Sequence, residues 1–164
     1  MQSKSTHSST GPLAGQTDAS TLNLSMVGNC AISALIDQRA NIVWCCMPRF
    51  DSNPAFHALL SDSPAGKESA SFRIELENQT RVEQRYVAGT AVVKTTLFDD
   101  INQSVEITDF APRFTDHGRI FRPAQLVRRI RPLSGNPRIK IVIQPAGSWG
   151  SGGATITRGT SHLR

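Results

Sequence analysis

The sequence predicts an all-β protein, an antiparallel β-sandwich that follows a disordered N-terminal leader. Short segments of alternating apolar and polar residues recur at a spacing of about ten residues, and turn residues separate them. No long amphipathic helix pattern occurs, which disfavours a parallel α/β fold because its crossover connections need helices. The length of 164 residues suits a single domain.

The first part of the chain divides into a leader and the beginning of the sandwich. Residues 1–21 are rich in Ser, Thr and Gly with few apolar residues, and we interpret them as the leader, so that the domain spans residues 22–164. The apolar stretches 30–36 and 41–47 flank a polar turn and predict a hairpin, whose second strand Pro48 ends. Residues 53–60 predict one helical turn.

The remaining strands are predicted from period-two alternation around residues 72–76, 82–86, 93–97 and 105–107. Residues 125–131 and 138–144 are predicted to form a hairpin through the compact loop 133–137, and residues 155–163 a weak last strand. The Gly/Ser-rich residues 147–153 are interpreted as a flexible connector. The residues predicted to face the core are Val93, Leu97, Val105, Ile107, Ile139, Ile141 and Ile143.

Positive charge is concentrated in one part of the chain. The formal net charge is +5, but residues 111–140 hold eight basic residues and one acid, or +7, which leaves −2 for the rest. This stretch fits a solvated arginine-rich face, a surface that docks an acidic partner domain, or a nucleic-acid site. Because it lacks both a set of stacking aromatics and a recognition helix, we disfavour nucleic acid.

Cysteine usage and hydrophobic runs limit the cellular setting. The three cysteines, Cys30, Cys45 and Cys46, do not form a disulfide framework, and the apolar neighbours of the last two predict buried thiols in a reducing cytoplasm. The scattered histidines and cysteines predict no metal site, and nothing predicts a cofactor. The N-terminus has no signal-peptide pattern, and no apolar run reaches the roughly 20 residues needed to span a membrane.

No catalytic residue is predicted. Glycoside hydrolysis needs two carboxyl groups at a defined separation, and the candidates are Asp51, Asp99, Asp100, Glu106 and Asp109. The adjacent Asp99 and Asp100 suit an ordinary turn, and Glu106 lies opposite the apolar face of its strand, so we expect it to be solvated. Neither a serine-hydrolase elbow nor a phosphate-binding loop is present in the sequence.

The loop at residues 48–52 holds the candidate site residues Arg49, Phe50 and Asp51. We expect Arg49 and Asp51 to bond each other or nearby backbone, and Phe50 to point into apolar packing. Such a pair can brace a loop through charge-assisted hydrogen bonds. Alternatively, it can present polar groups to a substrate cleft or a domain interface.

Four stretches together resemble one enzyme family. They are residues 28–36 (GNCAISALI), residues 42–52 (IVWCCMPRFDS) with 56–60 (FHALL), residues 106–113 (EITDFAPR) and residues 128–135 (RRIRPLSG). Residues 22–164 thereby resemble the N-terminal domain of glycoside hydrolase family 15, in its bacterial and archaeal branch of glucoamylases and trehalase-like proteins.

The resemblance implies a β-sandwich that precedes a catalytic (α/α)6 barrel. In this family the barrel supplies two glutamates and hydrolyses α-glucosides with inversion. None of its catalytic motifs matches this chain. The resemblance therefore implies a non-catalytic domain, or a truncated fragment, that packs on the barrel and meets substrate only through it. From the residues alone, a free-standing basic β-domain that binds nucleic acid or carbohydrate is the alternative.

Overall fold

Two antiparallel β-sheets pack face to face, and a small two-stranded ribbon lies at one end of them. The computed structural model describes residues 22–61, 70–147 and 155–163. The predicted all-β sandwich is confirmed. The predicted leader, and most of the predicted connector at 147–153, lie outside the described residues.

The wider sheet has six strands in the order β1-β2-β3-β5-β12, with the short β4 paired to β3. The predicted hairpin of β2 and β3 is confirmed by antiparallel pairing that sets Ala34 opposite Cys45. The strands of this sheet are β1 (Ser25–Gly28), β2 (Ser33–Ile36), β3 (Ile42–Cys46), β4 (Pro54–Phe56), β5 (Ser71–Leu76) and β12 (Ile139–Gln144).

The narrower sheet has four strands in the order β11-β8-β7-β6. Its strands are β6 (Gln79–Tyr86), β7 (Val93–Asp99), β8 (Ser104–Phe110) and β11 (Val127–Ser134). Between β8 and β11 the chain forms the ribbon of β9 (Phe114–Asp116) and β10 (Arg119–Phe121).

The chain crosses from one sheet to the other through two short connections, one after β5 and one after β11. Asn78, at a φ of 53°, turns the chain from β5 to β6, and Gly135, at 68°, lies between β11 and β12. The predicted hairpin of these last two strands is therefore wrong, because β11 pairs with β8 and β12 pairs with β5. Gly135 suits this corner because a Cβ there would lie 2.7 Å from the Gln103 side chain.

The core lies between the two sheets. The predicted core residues Val93, Leu97, Val105 and Ile107 are fully buried. The partly buried Ile139 packs against the cluster that contains the last three of them. The prediction for Ile141 and Ile143 is wrong, since both are about half exposed. They share a face with the buried residues of β5, but β12 lies at the edge of the wider sheet, where the four-stranded sheet does not cover them.

Two further local predictions need correction. Residues 53–60 form the short strand β4 followed by a 3₁₀ turn at Ala58–Leu60, rather than a single helical turn. Pro54 can begin β4 because β4 is a short edge strand, in which the N–H group that proline lacks is not needed for pairing. The predicted last strand is reduced to an isolated bridge between Arg158 and Leu163.

A buried ion pair lies within the four-stranded sheet, and its arginine also bonds the six-stranded sheet. The side chain of Arg128 on β11 is 3% exposed, and it donates from Nε and Nη2 to the two carboxylate oxygens of Asp109 on β8, at 2.7 and 3.0 Å. It also donates to the backbone oxygens of Phe72, at 3.0 Å, and of Ala40, and it stacks 4.7 Å from the centre of the Phe72 ring. Burial raises the pKa of Asp109, and the hydrogen bonds and charge of Arg128 oppose that rise.

We predict that Arg128→Ala lowers the free energy of unfolding by about 3–5 kcal/mol, because it leaves the Asp109 carboxyl without its partner in the core. Urea denaturation measures the change. The matched control is Arg129→Ala, which removes the exposed neighbouring arginine and should stay within about 0.5 kcal/mol of the wild type. Equal destabilisation by the two variants would contradict the structural role of the buried pair.

Candidate domain interface at one end of the sandwich

Several loops meet where β1, β3 and β8 end. We call this region the loop end and define it as residues 29–32, 47–53 and 111–126, which include the ribbon. Hydrogen bonds join its parts: the N–H of Phe50 donates to the oxygen of Ala31 at 3.2 Å, and Asn29 bonds both stems of the ribbon. The loop end therefore forms one connected surface.

Asn29 holds the base of the ribbon. It is 1% exposed, and its side-chain amide donates to the oxygens of Pro112, at 2.9 Å, and Pro123, at 2.8 Å. These two residues lie just before β9 and just after β10. The side-chain oxygen of Asn29 accepts from the N–H groups of Ala31, at 3.0 Å, and Ile32, at 3.2 Å. One buried amide thus fixes both legs of the ribbon and the loop in which it lies.

The ribbon itself presents apolar side chains to solvent. Phe114 and Phe121 are opposite each other, with ring centroids 5.2 Å apart, and they are 50% and 54% exposed. Ile120 on the other face is also exposed. Two residues of positive φ, His117 and Gly118, form the turn between the strands.

Sequence reasoning missed both Asn29 and the ribbon. The ribbon left a signal, because a His-Gly pair between two short segments containing phenylalanine suits the two-residue hairpin turn with positive φ at both positions. The hold of Asn29 on the ribbon left no signal, since the two carbonyls that its amide binds lie 83 and 94 residues away along the chain.

Two arginines contact Cys30, which has a positive φ of 70°. Its Sγ accepts from Nη1 of Arg113 at 2.9 Å, and its backbone oxygen accepts from Arg122 at 3.4 Å. Cys30 is exposed, whereas Cys45 and Cys46 are buried as predicted, and burial raises the pKa of the Cys45 thiol to about 11.

The loop at residues 48–52 is a turn that displays its side chains. Arg49 donates from Nε and Nη2 to the two carboxylate oxygens of Asp51, at 2.9 and 2.8 Å, which confirms the expected bond between them. The prediction for Phe50 is wrong, because this residue is 65% exposed. The N–H of Ser52 donates to the oxygen of Arg49, at 3.1 Å, so the segment turns back instead of staying extended.

Three of the five candidate acids, Asp99, Glu106 and Asp109, are held by structural partners, while Asp51 is in an exposed pair with Arg49 and Asp100 is exposed. Asp99 accepts from the N–H groups of Ile101 and Gln103, at 3.0 and 2.8 Å, and this confirms the predicted turn. Glu106 is buried, not solvated, because Lys94 and Arg131 on the neighbouring strands cover it and donate to its oxygens, each at 3.1 Å. Burial raises the pKa of Glu106, but Lys94 and Arg131 outweigh that effect, so the pKa lies below its ordinary value of 4.5.

The arginine-rich stretch does not form one continuous face. Arg128 is buried in the ion pair with Asp109, and Arg131 is bound to Glu106, while Arg113 and Arg122 lie at the loop end. This division weakens the nucleic-acid hypothesis, because a phosphate backbone needs exposed cations along one surface.

The described ranges contain no group of three His, Cys, Asp or Glu side chains that could hold a metal ion. Nor does any helix in these parts of the chain have the length and apolar character needed to cross a membrane.

Comparison with known proteins identifies the family of this domain. The chain matches the family described as trehalase-like, N-terminal, over residues 11–164, and it belongs to that family. It is also 38% identical over 89 residues to Trehalase 1 of Sulfolobus acidocaldarius. That match covers 54% of this chain and 15% of the relative, so the chain corresponds to a small part of that protein. No solved structure matches the chain.

We predict that Asn29→Ala destabilises the protein by about 1–3 kcal/mol, because it leaves buried backbone groups without partners. Thermal denaturation measures the loss, and faster amide hydrogen exchange in β9 and β10 locates it at the ribbon. Asn23→Ala, at an exposed asparagine, is the control and should change neither quantity. Unaltered exchange in the ribbon of the Asn29 variant would show that the amide does not hold it.

We predict that Glu106 contributes stability that depends on pH. Its pKa is lowered in the folded state from the ordinary value of 4.5. The contribution is therefore complete above that unfolded value and is lost as pH falls through the folded value. Glu106→Gln should therefore lower stability at about pH 7 and make its decline towards about pH 3 shallower. Urea unfolding at both pH values measures this. Glu83→Gln, in an exposed pair with Arg81, is the control, and an equal change in its pH dependence would refute the role of Glu106.

Proposed function

We propose that this chain is the non-catalytic N-terminal domain of an inverting α-glucoside hydrolase of the glucoamylase/trehalase type. It packs on the catalytic barrel and supports it. Membership of the trehalase-like N-terminal family supports the enzyme class. The observation that carries the role is the loop end, where Phe50, Phe114 and Phe121 are at least half exposed on a framework fixed by the buried Asn29. Exposed aromatic side chains on a rigid framework are typical of interfaces.

The structural contacts of the buried acidic side chains support a non-catalytic role for this domain. A glycoside hydrolase needs one carboxyl group free to donate a proton and a second free to activate water or attack the sugar. Asp109 is bound by Arg128, Glu106 by two cations and Asp99 by its own turn. Using any of these three in catalysis would break contacts that hold a turn or the sheets, and of the other two candidates Asp51 is paired with Arg49. We therefore propose that the catalytic pair belongs to another domain.

Arg49, Phe50 and Asp51 are proposed to lie against the barrel, close to the mouth of its active site. The ion pair of Arg49 and Asp51 is exposed, with side chains 71% and 53% accessible. Such pairs contribute only about 0–1 kcal/mol to stability. The pair can therefore exchange its internal bond for groups of a partner or a sugar at little cost to the fold.

The three free thiols suit a reducing compartment, and we propose a cytoplasmic location.

Assembly in trans tests the proposal. We expect the chain alone to release no glucose from trehalose, maltose or starch. It should bind a variant of Trehalase 1 of Sulfolobus acidocaldarius that lacks the whole region corresponding to this chain, and raise the hydrolysis of trehalose by that variant. Arg49→Ala should weaken the binding or the activation by more than about 0.5 kcal/mol, the range of ordinary surface changes.

The control for assembly is the relative's own segment, added back in trans. If that segment binds and this chain does not, the proposed supporting role is refuted. Glucose release by the chain alone, abolished in Glu106→Gln, would refute its non-catalytic character.

A further inference from the structure

We infer that the ribbon β9–β10 is the anchor of the docking surface, and that it fits an apolar pocket bordered by carboxylates on the catalytic domain. This inference rests on the proposed function, because it names the part of the loop end that carries the binding and the chemistry of the surface that receives it. Three properties of the ribbon support it: its exposure, its rigid base and its charge.

The ribbon is exposed to a degree that a free sandwich does not require. Each of its strands has three residues and all six are exposed. An isolated two-stranded hairpin is at best marginally stable in water, and it gains stability by packing against another surface. Phe114 and Phe121 project side by side from one face and Ile120 from the other, so a pocket that closes around the ribbon would bury apolar side chains on both faces.

The base of the ribbon is held by hydrogen bonds, although its two strands are exposed to solvent. Asn29 bonds the backbone on both sides of it, and Arg113 and Arg122 bond Cys30 from the same two stems. The contact between the two rings further limits their rotamers. Little conformational entropy remains to be lost on binding, and a pre-organised aromatic pair is typical of the residues that dominate an interface.

The charge of the ribbon indicates the chemistry of its partner. Residues 113–122 contain three arginines and one acid, Asp116, so their net charge is +2 with histidine neutral. Asp116 is already paired with the neighbouring His117 at 2.8 Å. Arg119 is exposed at the start of β10. A complementary surface therefore places carboxylates around the apolar pocket, where they meet the arginines at the rim.

The experiment measures binding of ribbon variants to the deletion variant of Trehalase 1 by calorimetric titration. Phe114→Ser with Phe121→Ser, and separately Ile120→Ser, should weaken binding at least about tenfold. Arg119→Glu should weaken it about as much at low salt and less at high salt, because screening reduces the interaction of exposed charges.

Two control variants lie away from the ribbon. Ile101→Ser changes an isoleucine that is as exposed as Ile120 but lies in the turn between β7 and β8, at the opposite end of these strands. Arg138→Glu makes the same charge change as Arg119→Glu on an exposed arginine outside the loop end. Both should bind like the wild type, and thermal denaturation should show that all variants remain folded.

The outcomes separate this inference from the proposed function. Failure of the wild-type chain to bind, while the relative's own segment binds, refutes the proposed function. Normal binding by the wild type and by the ribbon variants refutes only the inference. If the Arg119→Glu variant binds as tightly as the wild type or more tightly, the proposal that carboxylates surround the pocket of the partner is refuted. A dimer of the chain that the phenylalanine variants dissociate would overturn the inference in favour of a second copy as the occupant.

Discussion

The position of the two sheets depends on the ion pair of Arg128 and Asp109. A buried ion pair is not in itself a large source of stability, because desolvation of both charges offsets their attraction. Its consequence here is geometric. The guanidinium group binds a carboxylate in the four-stranded sheet, the backbone oxygen of Phe72 in the six-stranded sheet and that of Ala40 in the turn between β2 and β3. Its planar arrangement of donors allows few relative placements of the layers.

The same pair also determines where the loop end lies. Asp109 and Arg128 are opposite each other on β8 and β11, one pair of residues before these strands separate at Phe110 and Val127. The chain between them forms the ribbon, so the ion pair lies at the root of the ribbon inside the core. Further towards the ribbon, Asn29 donates hydrogen bonds to the backbone on both sides of it and so holds the two segments that lead into and out of the ribbon. A buried charge and a buried amide together hold an exposed aromatic surface in a defined place.

Period-two patterns were sufficient to predict β5, β6, β7 and β8 and the part of the core that β7 and β8 supply, but not the short strands β1, β4, β9 and β10. Val93, Leu97, Val105 and Ile107 are buried because their faces meet the opposite sheet. Alternation could not show which strands are covered, so Ile141 on the edge strand was predicted to be buried and Glu106 to be solvated. The burial of Glu106 depends on two long cations from neighbouring strands, which is a tertiary contact that the pattern of one strand does not contain.

The candidate site was predicted less completely, for a related reason. The bond between Arg49 and Asp51 is local, two residues apart, and residue types were enough to predict it. The backbone of Phe50 is bonded to Ala31 in another loop, and the ribbon is held by contacts across more than 80 residues. The sequence of a short loop therefore indicates what its side chains can bond, whereas the direction in which they point depends on the loops around them.

The charged groups that stabilise this domain differ from those that we propose for recognition. Asp109 and Glu106 are buried with their cations, so changing their partners would disturb the sheets. Arg49, Asp51 and Arg119 are exposed, where ion pairs contribute little to folding and can be rearranged freely. A domain that supports a partner needs this separation. Its binding surface can adapt to the partner without unfolding the domain only if the contacts that stabilise the fold lie elsewhere. The loop end meets the condition: its framework is bonded internally through Asn29, and its aromatic and charged side chains remain available.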